Sequence, residues 1–153
     1  MRAFWHFVHI FGYSIWIGGA LAAMTLGIAG KRASPEQMGV VVRLQGSIYR
    51  ALIGPGALAT TLSGLVLTLQ MYNQATAVGL SSWLMAMQGM GLVAAIIVFV
   101  VALPTSAKLS RLEPTGSTGP AFHGLRRRLV VAGMTSGTLA VGALVVGVVY
   151  RYG

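Results

Sequence analysis

Residues 83–103 read WLMAMQGMGLVAAIIVFVVAL, a run without one formal charge. An α-helix rises 1.5 Å per residue, so about 20 such residues cross the ~30 Å of hydrocarbon in a bilayer. A helix at the surface of a soluble domain keeps a polar face for water, and this stretch has none. It predicts a transmembrane helix. The rest of the chain repeats the pattern: residues 51–71 and 129–150 are also uncharged, and residues 3–30 hold only His6 and His9 as ionisable groups before the first basic pair. The first span exceeds the ~7–15 apolar residues of a signal-peptide core and shows no clear cleavage site, so it reads as a retained helix.

Composition agrees. Of 153 residues 56% are hydrophobic and 8% charged, with mean hydropathy +0.77. Soluble domains are about 25% charged, so too few charges are present to cover a water-facing surface. The expected fold class is all-α, a single-domain integral membrane four-helix bundle with lipid as its main partner.

Between the first two spans, Ser34-Pro35-Glu36 has the chemistry of a helix start, with Ser34 as N-cap and Pro35 at the first helical position. Val40, Val41, Leu44 and Ile48 follow at helical spacing, with Arg43 and Arg50 among them. This predicts an amphipathic lead-in over 35–50 lying at the membrane interface. Pro55 marks a kink or fresh start near the inner end of the second span. Pro104 ends or kinks the third, since 107–112 can prolong the helix. Glu113 to Pro120 is loop chemistry, and Arg126-Arg127-Arg128 precedes the fourth span.

The net charge of +9 comes from residues placed between the spans. That placement favours headgroup contact and orientation over nucleic-acid binding. Nine basic residues, Lys31, Arg32, Arg43, Arg50, Lys108, Arg111 and Arg126 to Arg128, fall in the first and third connections; Arg2 and Arg151 fall opposite. The positive-inside rule then puts both termini on the non-cytoplasmic side. Trp5, Tyr72, Trp83, Tyr150 and Tyr152 gather at that outer interface as an aromatic belt. Gly133 and Gly137 form a GxxxG pair, and Gly19, Ala23 and Gly27 a small-residue ridge, both suited to close helix approach, chiefly within the chain.

The absence of Cys removes disulfides and thiol chemistry. The absence of Asp, with Glu36 and Glu113 both outside the spans, leaves no intramembrane carboxylate for a proton-driven carrier. No phosphate loop or nucleophile elbow is present. The candidates for chemistry are the polar groups inside the spans: His6, His9, Gln70, Gln88 and the methionines Met85, Met87 and Met90. His9 and the Met87–Gln88 pair each lie roughly 9 Å below the outer surface, so they form one expected site if their helices touch. His6 and His9, three residues apart, share a face. Imidazole and thioether are usual heme ligands, so axial ligation of heme b by His9 or His6 is the expected chemistry, with Met87 and Gln88 in the same site as His9. The methionines alone suggest Cu(I) handling if they converge, and otherwise packing. His123, in the cytoplasmic connection, lies a bilayer away.

His9, Trp16 seven residues later and Gly18-Gly19 resemble the first helix of a group of small four-helix membrane proteins. The group comprises the HemJ-type protoporphyrinogen oxidases, the copper-resistance D domains and related membrane proteins of unknown function. Tyr49-Arg50, Pro55, Thr60-Thr61 and Gly64 resemble the second helix of the oxidases, Trp83 the opening of their third, and Arg126-Arg127-Arg128 the opening of their fourth. The resemblance implies a bacterial cytoplasmic (inner) membrane and a heme ligand in His9, and leaves Met87 as the second metal ligand. Two features depart from it. The oxidase lysine four positions after the third-helix tryptophan is Met87 here, and Leu129-Val130-Val131-Ala132 stands where the oxidases have Asn-Glu-x-Pro. Heme or porphyrin handling without oxidase catalysis is therefore expected. The alternative is a non-catalytic packing or accessory subunit of a larger respiratory or photosynthetic membrane complex.

Overall fold

The computed structural model describes residues 1–72 and 82–152, and every element among them is helical. Four long helices carry the chain: α1 (Arg2–Ala29), α2 (Pro35–Tyr72), α3 (Ser82–Leu109) and α4 (Gly119–Tyr152). Each is long and apolar enough to cross a bilayer. This is a multi-pass membrane protein. The connection expected between Tyr72 and Ser82 lies, for residues 73–81, outside the described residues, as do the side chains of Tyr150 and Tyr152.

What faces outward supports the same conclusion independently of hydropathy. Phe7, Phe11, Leu65 and Val145 are exposed, whereas Ala57, Ala94, Ala102, Ser63 and Ser106 are buried to within 2%. Bulky apolar groups outside and small or weakly polar ones inside reverse the soluble pattern. Lipid is the solvent that favours this arrangement, because there packing rather than apolar burial holds helices together.

α2 starts as the sequence predicts. The Ser34 hydroxyl accepts from the Gln37 amide at 3.4 Å, and Gln37 Oε1 accepts from the Ser34 amide at 3.0 Å, completing a capping box ahead of Pro35. The lead-in over 35–50 is not a separate element. It runs straight into the second span, and its small inner face (Gly39, Val42, Gly46) is buried. Gly46 lies against Ser110, near the inner end of α3, and Arg43 reaches Glu113 at 3.6 Å. These contacts draw the lead-in into the bundle.

Both prolines sit inside continuous helices, and the same device admits each. Residues Tyr49–Ile53 and Ile97–Ala102 form π-helical segments, closed by the Gly54 amide on the Tyr49 carbonyl and the Leu103 amide on the Val98 carbonyl. A proline lacks an amide hydrogen and clashes with the carbonyl four residues before it, here Ala51 and Val100. Widening the helix just upstream relieves that clash. α3 therefore continues through Pro104 to Leu109 instead of ending there. The two π segments adjoin, with Gly54 against the Leu103 methyls.

α4 begins ten residues earlier than the expected span. Pro120 is tolerated in its first turn, so Arg126 to Arg128 and His123 lie on the helix and not in the preceding connection.

α1 packs most extensively on α2, and α3 on α4. At the α1–α2 crossing the backbones touch: a β-carbon on Gly56 would lie 2.7 Å from the Trp16 amide nitrogen and 2.8 Å from the Gly12 carbonyl oxygen. The α1 ridge continues this contact, with Gly19 on Ile53 and the Ala23 carbonyl accepting from Gln45 Nε2 at 2.7 Å. Between the pairs, the Tyr13 hydroxyl donates to the Ala140 carbonyl at 2.7 Å, and Tyr49 reaches Gly133. Gly137, by contrast, has nothing within 4 Å of its would-be β-carbon. Replacing Gly56 with Ala should thus lower stability by about 1–3 kcal/mol through overpacking against backbone, while Gly137→Ala should be neutral or mildly stabilising. Thermal unfolding of both variants in detergent micelles checks the contrast.

Candidate ligand site at His9

One face of α1 makes the contact with α2. Gly12, Trp16, Gly19 and Ala23 are buried along it, and His9 extends the same stripe one turn toward the N-terminus. His9 is half-buried there. Its ring lies over Gly64 of α2, where a β-carbon would come within 3.0 Å of Cε1. Any side chain at 64 would displace the imidazole, so glycine makes the seat.

The hydrogen bonds fix the tautomer. His9 Nδ1 is 2.9 Å from the Thr60 carbonyl oxygen and 3.2 Å from Ser63 Oγ. A carbonyl only accepts, and the Ser63 hydroxyl already donates to the Ala59 and Thr60 carbonyls. Nδ1 must therefore carry a proton and donate, so in the neutral ring Nε2 is the bare nitrogen. A backbone carbonyl holding Nδ1–H is the usual means of orienting a histidine whose Nε2 is to bind a metal. The sequence marked His9; it did not reveal that Thr60, Ser63 and Gly64, all within one turn of α2, would position it. The only sign was that small and hydroxyl residues cluster at 60–64.

The other expected partners are distributed over different helix contacts. Gln88 donates from Nε2 to the Thr68 hydroxyl and so ties α3 to α2. Thr68 in turn bonds back to the Gly64 carbonyl at 2.8 Å, placing Gln88 one turn from the residue under His9. Met87 faces α4, its sulfur 2.9 Å from the point a β-carbon on Gly147 would occupy, and Met90 fills the space beside Gly142 in the same way. Met85 is 60% exposed. The three thioethers do not converge; two of them fill glycine gaps on α4. His6 is exposed and donates from Nδ1 to the Arg2 carbonyl of its own helix at 3.0 Å. His123 is exposed on α4 beside Phe122. Gln70 is half-buried near the end of α2. No group of three or more His, Asp or Glu side chains with metal-binding spacing occurs among the described residues.

The donor set at His9 is thus one oriented imidazole, sufficient for a single axial bond and insufficient for a metal ion that needs several protein ligands. Nitrogen-15 spectra of the histidine-labelled protein should show His9 with a protonated Nδ1 and an unprotonated Nε2 at neutral pH. Gly64→Val should abolish that signature by moving the ring off the Thr60 carbonyl. Comparison with protein-family models, curated proteins and solved structures finds no match to this chain.

Proposed function

We propose that the chain is a protein of a bacterial cytoplasmic membrane, with both termini outside, that binds heme b or a related porphyrin through His9 for redox or cofactor handling. The observation that carries the reading is the His9 arrangement, in which Nδ1–H is spent on the Thr60 carbonyl and Nε2 remains available. The resemblance of His9, Trp16 and Gly18-Gly19 to the first helix of the HemJ-type and copper-resistance D group points to the same imidazole. The positions of basic residues support the proposed orientation: Lys31, Arg32, Lys108 and Arg111 all sit at or beyond the helix ends that join α1 to α2 and α3 to α4.

Met87 is not part of this site, since its side chain is directed at Gly147. His9 would hold the iron as a single protein ligand, with Gln88 and Thr68 as nearby hydrogen-bonding groups. Reversible one-electron transfer is the chemistry such a group supplies when bound. The protein's own part is to hold the imidazole plane and keep its Nε2 unprotonated. With Met87 in place of the oxidase lysine, substrate oxidation is not part of the proposal.

A second reading, as an accessory subunit of a larger membrane complex, is favoured by the open glycines. Gly18, Gly89, Gly91 and Gly137 have nothing within 4 Å of their would-be β-carbons, so helices of another protein can approach there.

Protein purified from heme-replete cells should show a Soret band that His9→Ala reduces tenfold or more, roughly the effect of removing a ligand's support or the ligand itself. Met87→Leu should leave the band in place. Absence of a Soret band in both redox states of the wild-type protein would exclude heme and leave the subunit reading.

A further inference from the structure

At the other end of the bundle from His9, a groove of about 450 Å³ opens sideways between α3 and α4. Its floor is one face of α4. Arg127, Arg128, Val131 and Thr135 recur along it at helical spacing, and the wall is Ile97 and Val101 from the π-helical segment of α3. The lining is mostly apolar, with two guanidinium groups at one end.

Those charges are unanswered within the chain. Arg127 and Arg128 are exposed and have no ion-pair or hydrogen-bond partner among the described residues. The whole sequence offers only two acidic side chains. Glu113 is engaged by Arg43 at 3.6 Å, and Glu36 sits in the first turn of α2. The dimensions also bear on the occupant. From Arg127 to Thr135 the groove follows α4 for roughly 12 Å, most of the ~15 Å hydrocarbon depth of one leaflet, with Gly124 one turn beyond the arginines at the headgroup side.

We infer that this groove is a binding site for one anionic phospholipid, its phosphate held by Arg127 and Arg128 and an acyl chain laid along Ile97, Val101 and Val131. Basic pockets between transmembrane helices recognise lipid headgroups in this way, by pairing phosphate charge at the surface with apolar contact below it. Arg is well suited to the role, because its planar fork meets two phosphate oxygens at once. The inference uses the membrane-spanning fold but is independent of His9 and of any heme.

Gly124 supplies a variant that should not disturb folding. Nothing lies within 4 Å of its would-be β-carbon, and the residue lines the groove. The full-length protein in detergent, titrated with phosphatidylglycerol or phosphatidylcholine and read by native mass spectrometry, should retain one phosphatidylglycerol with about tenfold preference. Arg127→Ala with Arg128→Ala should remove the preference. Gly124→Leu should displace the lipid although both arginines remain. Equal retention of the two lipids, or unaltered retention in Gly124→Leu, would overturn the inference, the latter by showing that the arginines attract lipid without the groove. Unchanged melting temperatures of the variants ensure that loss of lipid is not loss of fold, and competition by inorganic phosphate alone would reassign the site to a free anion.

Discussion

Hydrocarbon offers no hydrogen bonds, so every polar group that enters it must find a partner inside the protein. That constraint shapes most of the side-chain chemistry of this bundle. The hydroxyls of Thr25, Thr60, Thr61 and Thr68 return to carbonyls of their own helices. The longer polar side chains reach across helices: Gln45 to Ala23, Tyr13 to Ala140, Gln88 to Thr68, His9 to Thr60. Each of these bonds ends on a backbone carbonyl or a hydroxyl; the ion pair of Arg43 with Glu113 lies outside the apolar spans. With no aspartate and two peripheral glutamates, the spans join through neutral partners among the described residues.

His9 obeys the same rule and yet differs from the rest. A tyrosine that bonds a carbonyl has used its one donor, and a glutamine keeps only a second N–H and an amide oxygen. A neutral imidazole that does so still has a lone pair on its second nitrogen. The bond that makes His9 acceptable in the membrane is thus also the bond that aims an unprotonated nitrogen. In the proposed reading, structural and ligand-binding roles are coupled at this position through one proton on Nδ1.

The four spans were legible from the sequence because hydrophobic length acts on whole segments. The spans and the Ser34 cap follow from local chemistry that lipid does not override, whereas at Pro104 the sequence allowed either an end or a kink, and the π-helical segment before it decides for continuation. The start of the fourth helix was misread because Glu113 to Pro120 has turn composition, yet Pro120 fits a first helical turn as well as a loop. The membership of the site was harder. Depth along each helix brought Met87 level with His9, but depth says nothing about azimuth, and Gly147 drew Met87 toward α4. Glycines decide these azimuths by where they leave room, and one sequence does not say which glycine meets which side chain. The basic cluster is plain in the sequence; the groove beneath it required the spacing of Gly124, Arg127, Arg128, Val131 and Thr135 to be seen together with α3.

The π segments have one more consequence. An α-helix turns about 100° per residue, so a segment closed by i to i+5 bonds leaves all that follows rotationally offset from an unbroken helix. The part of α2 beyond Gly54 and the part before Tyr49 thus have separate phases, as do the two parts of α3. A single helical wheel drawn through all 38 residues of α2 superimposes sides that point in different directions. Each of the two central helices is, in angular terms, two shorter helices sharing one axis.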